Sequence, residues 1–306
     1  MRTYQIYLLL FFIMIPWGLN VTATKILVDQ FMPLTMTAFR IMTAGIAVII
    51  VLLMLRQFRL PARSEWKAVV LGAILNVAGH HSLLSVGLKN TSAVNGGLIL
   101  GVGPLLTAIL AIIFLGSRLT WIKFLGFIIG FSGVFITVLE GKSGMHGVSI
   151  GDFEIFLSIL SQAFSFILIK QASKTMDPRL LTGYMLTLGS LFLLIIATIT
   201  EPGGIHSLAA GSTIMWVIFS ASAIIATALG HMSYNYCIGK IGAAEASIFL
   251  NLTPFFSLLG AALFLDEKIT TSHLAGLLLI IAGVVIGSGA YKQLFWRKNR
   301  RIDASL

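Results

Sequence analysis

Residues 93–136 read AVNGGLILGVGPLLTAILAIIFLGSRLTWIKFLGFIIGFSGVFI, and residues 243–286 read AAEASIFLNLTPFFSLLGAALFLDEKITTSHLAGLLLIIAGVVI. Laid side by side at a fixed offset of 150, the two stretches share eleven identities in 44 positions without a gap. Pro104 falls on Pro254, Gly126 on Gly276 and Gly133 on Gly283, while Phe114-Leu115 falls on Phe264-Leu265 and Thr120 on Thr270. Most other pairs exchange one apolar residue for another. Self-similarity over such a length marks a duplicated unit, and duplicated units in membrane proteins commonly enclose a central path.

The chain around these stretches is apolar throughout. Of its 306 residues, 57% are hydrophobic and 10% charged, and the mean hydropathy is +0.97. A soluble domain carries about 25% charged residues. Ten apolar stretches follow one another: 4–27, 33–55, 66–88, 91–115, 121–139, 151–171, 179–199, 213–237, 243–265 and 270–291. Each is near the ~20 residues a helix needs to cross the hydrocarbon core. Almost nothing is left for a soluble domain. Val21-Thr22-Ala23 resembles a cleavage site, but the run before it is long for a signal peptide and has a counterpart in the second half, so it reads as a mature helix. Cys237 is the only cysteine, which excludes an intrachain disulfide and reads as inert core.

Lysine and arginine set the orientation. If the stretches alternate in direction, 16 basic residues fall on the face of the N-terminus, among them Arg56, Arg59, Arg63, Lys67, Lys170, Lys174, Arg179 and Lys240. Only four, Lys25, Lys89, Lys142 and Lys268, fall on the other face, and Arg40 lies within a span. Basic loops stay cytoplasmic, so both termini are expected inside a plasma-membrane, multi-pass protein. Topology thus accounts for the net charge of +10, and nucleic acid is not an expected partner. The basic tail, with Phe295 and Trp296, is expected on anionic lipid headgroups.

The earlier parts of the halves match at other offsets. Lys25 pairs with Lys170 and Pro33 with Pro178 at 145, and Gly79-His80 pairs with Gly230-His231 at 151. Each half holds five helices, an odd number, so the second half enters from the opposite face. The expected fold is an all-α membrane protein of ten transmembrane helices in two inverted five-helix repeats. Its units are 1–145, 146–291 and a cytoplasmic tail, 292–306. Short connections at 116–120 and 266–270 make antiparallel hairpins of helices 4–5 and 9–10. Glycines four apart, as at 126 and 130 or 283 and 287, allow close helix packing.

Several elements together identify a family. Pro16-Trp17-Gly18, Phe39-Arg40, the repeated proline of helices 4 and 9 followed by Phe-Leu and a short charged turn, and Gly151-Asp152 occur in order. With them, the chain resembles the EamA family of the drug/metabolite transporter superfamily over essentially its full length. The resemblance implies helices 1–4 and 6–9 around a central cavity, 5 and 10 at the periphery, and export of small metabolites, such as amino acids, or drugs. Two departures stand out. Ser117 replaces the usual Glu after Leu-Gly, whereas the second half keeps Glu267, and Gln162 stands where Trp is common.

Arg40, a cation within a span, is costly unless something offsets it, and it is a candidate for a substrate carboxylate or a structural tie. His80 and His231 could relay protons or contact a polar solute. Since neighbours on a helix point apart, at most one of His80 and His81 is expected to face the path. Trp17, Asn20, Asn76, Tyr234, Asn235 and Asn251 are candidate cavity residues, each equally able to tie helices together. Glu245 opens helix 9 and suits either the helix dipole or an ion or proton site. Pro104 and Pro254 each remove a backbone donor and are candidate hinges. No catalytic residue, metal site or cofactor is expected, and no third ligand stands at sensible spacing from the histidines.

These features favour a secondary transporter exporting a small polar, amino-acid-like metabolite or drug by alternating access. No phosphate-binding loop suggests direct drive by ATP. A lipid flippase, a channel and a membrane-embedded enzyme are the alternatives. The last lacks a nucleophile with a base at workable spacing. Monomer and homodimer both stay open.

Overall fold

The computed structural model describes residues 3–116, 120–140 and 149–288; the turn at Ser117 and the basic tail lie outside them. Ten long helices run through it, with no strand among the described residues. They are α1 (Thr3–Gln30), α2 (Pro33–Met54), α3 (Trp66–Asn90), α4 (Ala93–Leu115), α5 (Trp121–Glu140), α6 (Ile150–Ala172), α7 (Pro178–Thr200), α8 (Thr213–Ile241), α9 (Ala243–Phe264) and α10 (Thr271–Ser288). A short helix, Gly204–Ala209, precedes α8. Eight of the ten are long and apolar enough to span a membrane, and α5 and α10 hold shorter apolar stretches, Phe124–Gly133 and Thr271–Gly283. This is the ten-helix, all-α arrangement expected from the duplication.

Helix ends follow local chemistry. Ser92 caps α4, and Ser149 with Asp152 forms a reciprocal capping box at α6. Pro33 and Pro178 occupy first turns, where the missing N–H costs nothing. Gly116, in the left-handed region at φ +68°, closes α4. At the end of the bundle opposite the N-terminus, carboxylates cap helices across the chain. Glu267 accepts from the Ala93 and Val94 amides at 2.9 Å each. Glu201 accepts from those of Leu34 and Thr35, at 2.9 and 2.7 Å. Anions at helix N-termini satisfy orphan donors and meet the positive end of the dipole.

Helix α2 packs along α7, α5 along α10, and α1 against α9 as α6 packs against α4. The α5–α10 contact shows the symmetry directly. A β-carbon on Gly133 would stand 2.8 Å from the Gly276 carbonyl oxygen, and one on Gly283 would stand 2.6 Å from that of Gly126. The offset of 150 turns the first pair into the second. A two-fold axis therefore passes between these helices, which approach closely because both carry glycine at the contact.

The distortions repeat as well. Helix α3 is π-helical over Ala73–His81 and α8 over Ser222–Leu229. The first maps onto residues 224–232 at the offset of 151. Helix α4 breaks at Gly101–Val102 before Pro104, and α9 narrows to a 3-10 turn over Ile248–Leu252 before Pro254. The prolines, the candidate hinges, thus sit in the first turn after an interruption in each helix.

Candidate functional site

The two π-helical turns face each other across the middle of the bundle. Between them lies a chamber of about 60 Å³, whose polar wall is Trp17, Asn20, His80, His81, Gln162, His231 and Thr253. Leu100 of α4 and Leu250 of α9, the residues four before each proline, help to close it. No carboxylate lines it among the described residues. A volume this small holds a few waters and no metabolite, so the chamber must expand to admit one.

His80 is held on both sides. The Ser158 hydroxyl donates to the His80 carbonyl oxygen at 2.9 Å, so it accepts from His80 Nδ1–H at 2.8 Å. Nε2 is then the lone-pair nitrogen and accepts from the Gln162 amide at 2.8 Å, which describes a neutral ring. His231 occupies the matching place in α8, and there the partner of the ring is Trp17, with centroids 4.8 Å apart. Trp17 and Gln162 are themselves related by the offset of 145. The indole N–H donates to the Ala226 carbonyl at 2.8 Å, and the matching carbonyl in α3, that of Leu75, accepts from Ser161 at 2.7 Å. Where glutamine replaces tryptophan, the neighbouring serine supplies the lost donor.

His81 also lines the chamber, contrary to the expectation that only one of the adjacent histidines would. A π-helical turn holds more residues than an α-turn, so neighbouring side chains diverge by a smaller angle and both rings reach the same space. Their centroids lie 4.7 Å apart, and His81 lies 5.1 Å from His231. Neither nitrogen of His81 has a hydrogen-bond partner, nor does Nδ1 of His231. The local sequence carries no sign of the wide turn, which is why His81 escaped the list of candidates.

Arg40 is fully buried behind the wall rather than on it. Its Nη1 donates to Ser222 at 3.1 Å and Thr227 at 3.0 Å, both in the π-helical turn of α8. Ser222 in turn donates to Asn20 Oδ1 at 2.5 Å. The three ion pairs among the described residues are Lys25–Asp29, Arg59–Glu65 and Arg179–Asp177, so none neutralises Arg40. Its counterpart at the offset of 145 is Met185, buried against Gly72. The positive charge therefore stands on one side of the two-fold axis only.

Other candidates lie away from the chamber wall. Asn76 bonds to Ser165 at 3.0 Å and Asn235 to Thr182 at 2.9 Å, both tying helices. Asn251 donates within α9 to Ile248 at 2.7 Å, across the 3-10 turn. Tyr234 is buried between Trp17 and Phe166, at 4.8 and 5.1 Å. Glu245 accepts a hydrogen bond from the Tyr7 hydroxyl and joins the start of α9 to the start of α1. No group of three or more metal-binding side chains gathers among the described residues.

A model of the EamA-like transporter family matches residues 5–139 and 149–288, one match in each half. The chain belongs to the EamA-like transporter family. An "Uncharacterized transporter YyaM" from Bacillus subtilis (strain 168) is 30% identical over 298 residues, 95% of this chain and 96% of its own. A "Probable terminal-alkyne amino-acid exporter" from Streptantibioticus cattleyicolor is 22% identical over 228 residues, covering 74% and 75%. A solved crystal structure aligns with a TM-score of 0.69 at 16% identity, over 95% of this chain and 99% of that one, which shows the fold alone. As an EamA-type member of the drug/metabolite transporter superfamily, the chain is a multi-pass membrane transporter.

Proposed function

We propose that this EamA transporter exports a small polar, amino-acid-like metabolite through the central chamber by alternating access. The observation that carries the reading is the polar chamber itself, built by both halves at matching distortions, with a tie between helices toward each end of the bundle. Toward the N-terminus Tyr7 and Glu245 join α1 to α9. At the other end Glu267 ties the α9–α10 turn to α4. One tie must release for a solute to enter and the other for it to leave. Irregular backbone beside a cavity at mid-membrane is how secondary transporters commonly build such sites. The relative named as an amino-acid exporter supports the substrate class, and the positive-inside count supports a plasma-membrane protein with cytoplasmic termini.

The test is a comparison of extracellular metabolites from cells overexpressing the native chain or Asn20→Ala at matched membrane levels. A solute enriched outside by the native chain and not by the variant is expected. Equal enrichment by both removes Asn20 from the path. No enrichment by the native chain removes export.

A flippase reading has one observation in its favour. A cleft of about 460 Å³ between α1 and α8, lined by apolar side chains such as Ile26, Ile214 and Ile225, reaches Asn20 and Ser222. Scrambling of labelled lipid by the purified chain in liposomes would support that reading over metabolite export.

A further inference from the structure

The chamber offers hydrogen-bond donors and no anion to receive them. Asn20 Oδ1 is occupied by Ser222, so its amide N–H groups are what the residue can present to a ligand. His81 is buried, with both nitrogens unpartnered, and His231 adds a third unpartnered nitrogen at 5.1 Å between ring centroids. Buried polar groups are nearly always paired. A neutral ring offers one N–H and one lone pair, and a proton on His81 makes donors of both its nitrogens, so that with the Asn20 amide the wall suits a ligand that accepts hydrogen bonds.

The charges facing His81 say which ligand. From α3 there is His80, neutral and bonded at both nitrogens; from α8, His231 and Tyr234; from α2, Arg40 behind Ser222 and Thr227. Helices α1, α4, α6 and α9 present no titratable side chain to the chamber wall. With no carboxylate among the described residues of the wall, a proton on His81 would meet only the repulsion of Arg40. A carboxylate in the chamber reverses the sign. Anion and proton therefore assist each other's binding, and by linkage the assistance is reciprocal.

We propose that the His81–His231 pair, with Asn20, is a carboxylate-and-proton site. It receives the carboxylate of the substrate and takes up one proton on an imidazole nitrogen with it. Both leave together when the chamber opens on the other side, the anion as carboxylate and the proton to water, so a monocarboxylate crosses with no net charge and a zwitterionic amino acid with one positive charge. This assignment rests on reading the chamber as the transport path.

The test uses the purified full-length chain in lipid nanodiscs, with acetate, lactate and phenylacetate as probes. Binding is read from Trp17 emission, taken as the difference between the native chain and Trp17→Phe, because an imidazolium against an indole quenches it. At least one probe should quench, with an apparent Kd tightening about tenfold per pH unit as pH falls from about 7.5 to 6. His81→Phe and His81→Gln break no protein hydrogen bond, so both should fold, weaken binding about tenfold or more and flatten the pH dependence. His206→Gln, on the short helix before α8, should leave both unchanged. Binding that ignores pH, pH dependence that survives both His81 variants, or no binding of any probe overturns the assignment. A native chain that exports a solute yet shows no such linkage loses this assignment alone. One that exports nothing loses the transport reading, whatever the binding shows.

Discussion

Arg40 has hydroxyl partners and no counter-ion, and its counterpart in the other half is methionine. Ser222 and Thr227 keep bonds of their own without it, to Asn20 and to the Ser222 carbonyl. Burying an uncompensated charge is costly, and an apolar side chain of similar volume is often as stable or more so. Arg40→Met should therefore unfold at the native temperature or above it, with stability equal or higher by about 1–4 kcal/mol. Export should fall about tenfold or more, because Asn20 loses the polarised hydroxyl that orients it. Thermal unfolding in detergent beside an efflux assay checks both. At the loop before α3, Glu65 accepts from Arg59 at 2.6 and 2.7 Å and from the Ala62 amide at 2.7 Å. The Arg59 guanidinium above all holds its carboxyl below the usual range. A depressed carboxyl adds stability that is present above its unfolded value, about 4.3, and is lost as pH falls through the folded one. The stability gap between the native chain and Glu65→Gln should thus close on acidification, which melting curves at neutral and acid pH would show.

The same two irregularities occur in each half, a π-helical turn in the third helix and an interruption before proline in the fourth. The prolines supply no N–H to the preceding turn, so bending there breaks fewer hydrogen bonds than elsewhere. Pro104→Ala and Pro254→Ala should each slow export several-fold while the protein folds normally; unchanged rates in both would remove the hinge role. Among the described residues, helices α5 and α10 carry none of the chamber wall, and they meet through glycine. Gly283→Val would drive a side chain into the Gly126 carbonyl and should cost about 1–3 kcal/mol of stability. The symmetric variant Gly133→Val should cost a similar amount. Because the site is remote, transport per folded molecule should hold in both, measured as efflux normalised to folded protein.

At the scale of the molecule, two homologous halves face each other, and the one charge behind the chamber belongs to the first. Acidic groups that cap α2 and α4 gather at the end opposite the N-terminus, while most basic loops gather at the other. A C-terminal fluorescent fusion that matures only in the cytoplasm should therefore glow, and a phosphatase fusion active only outside should stay silent. The reverse pattern would invert the proposed orientation.

Span number, inverted duplication and family were legible in the chain, because each is carried by residue type and spacing that survive without coordinates: apolar runs of membrane length, an odd number of them per half, and Pro and Gly at matched offsets. The four chamber candidates Trp17, Asn20, His80 and His231 were legible for the same reason, as polar groups on apolar helices. What the tertiary structure alone decided is which of those groups share a space. The π-helical turns of α3 and α8 are not visible in the apolar pattern of those stretches. They bring His81 beside His80, offer the Leu75 carbonyl to Ser161 where the other half uses an indole donor, and offer Ser222 and Thr227 to Arg40, which sits behind the wall. A helical wheel built on the α-helical period cannot place these groups, since the angle between neighbours depends on contacts made with other helices.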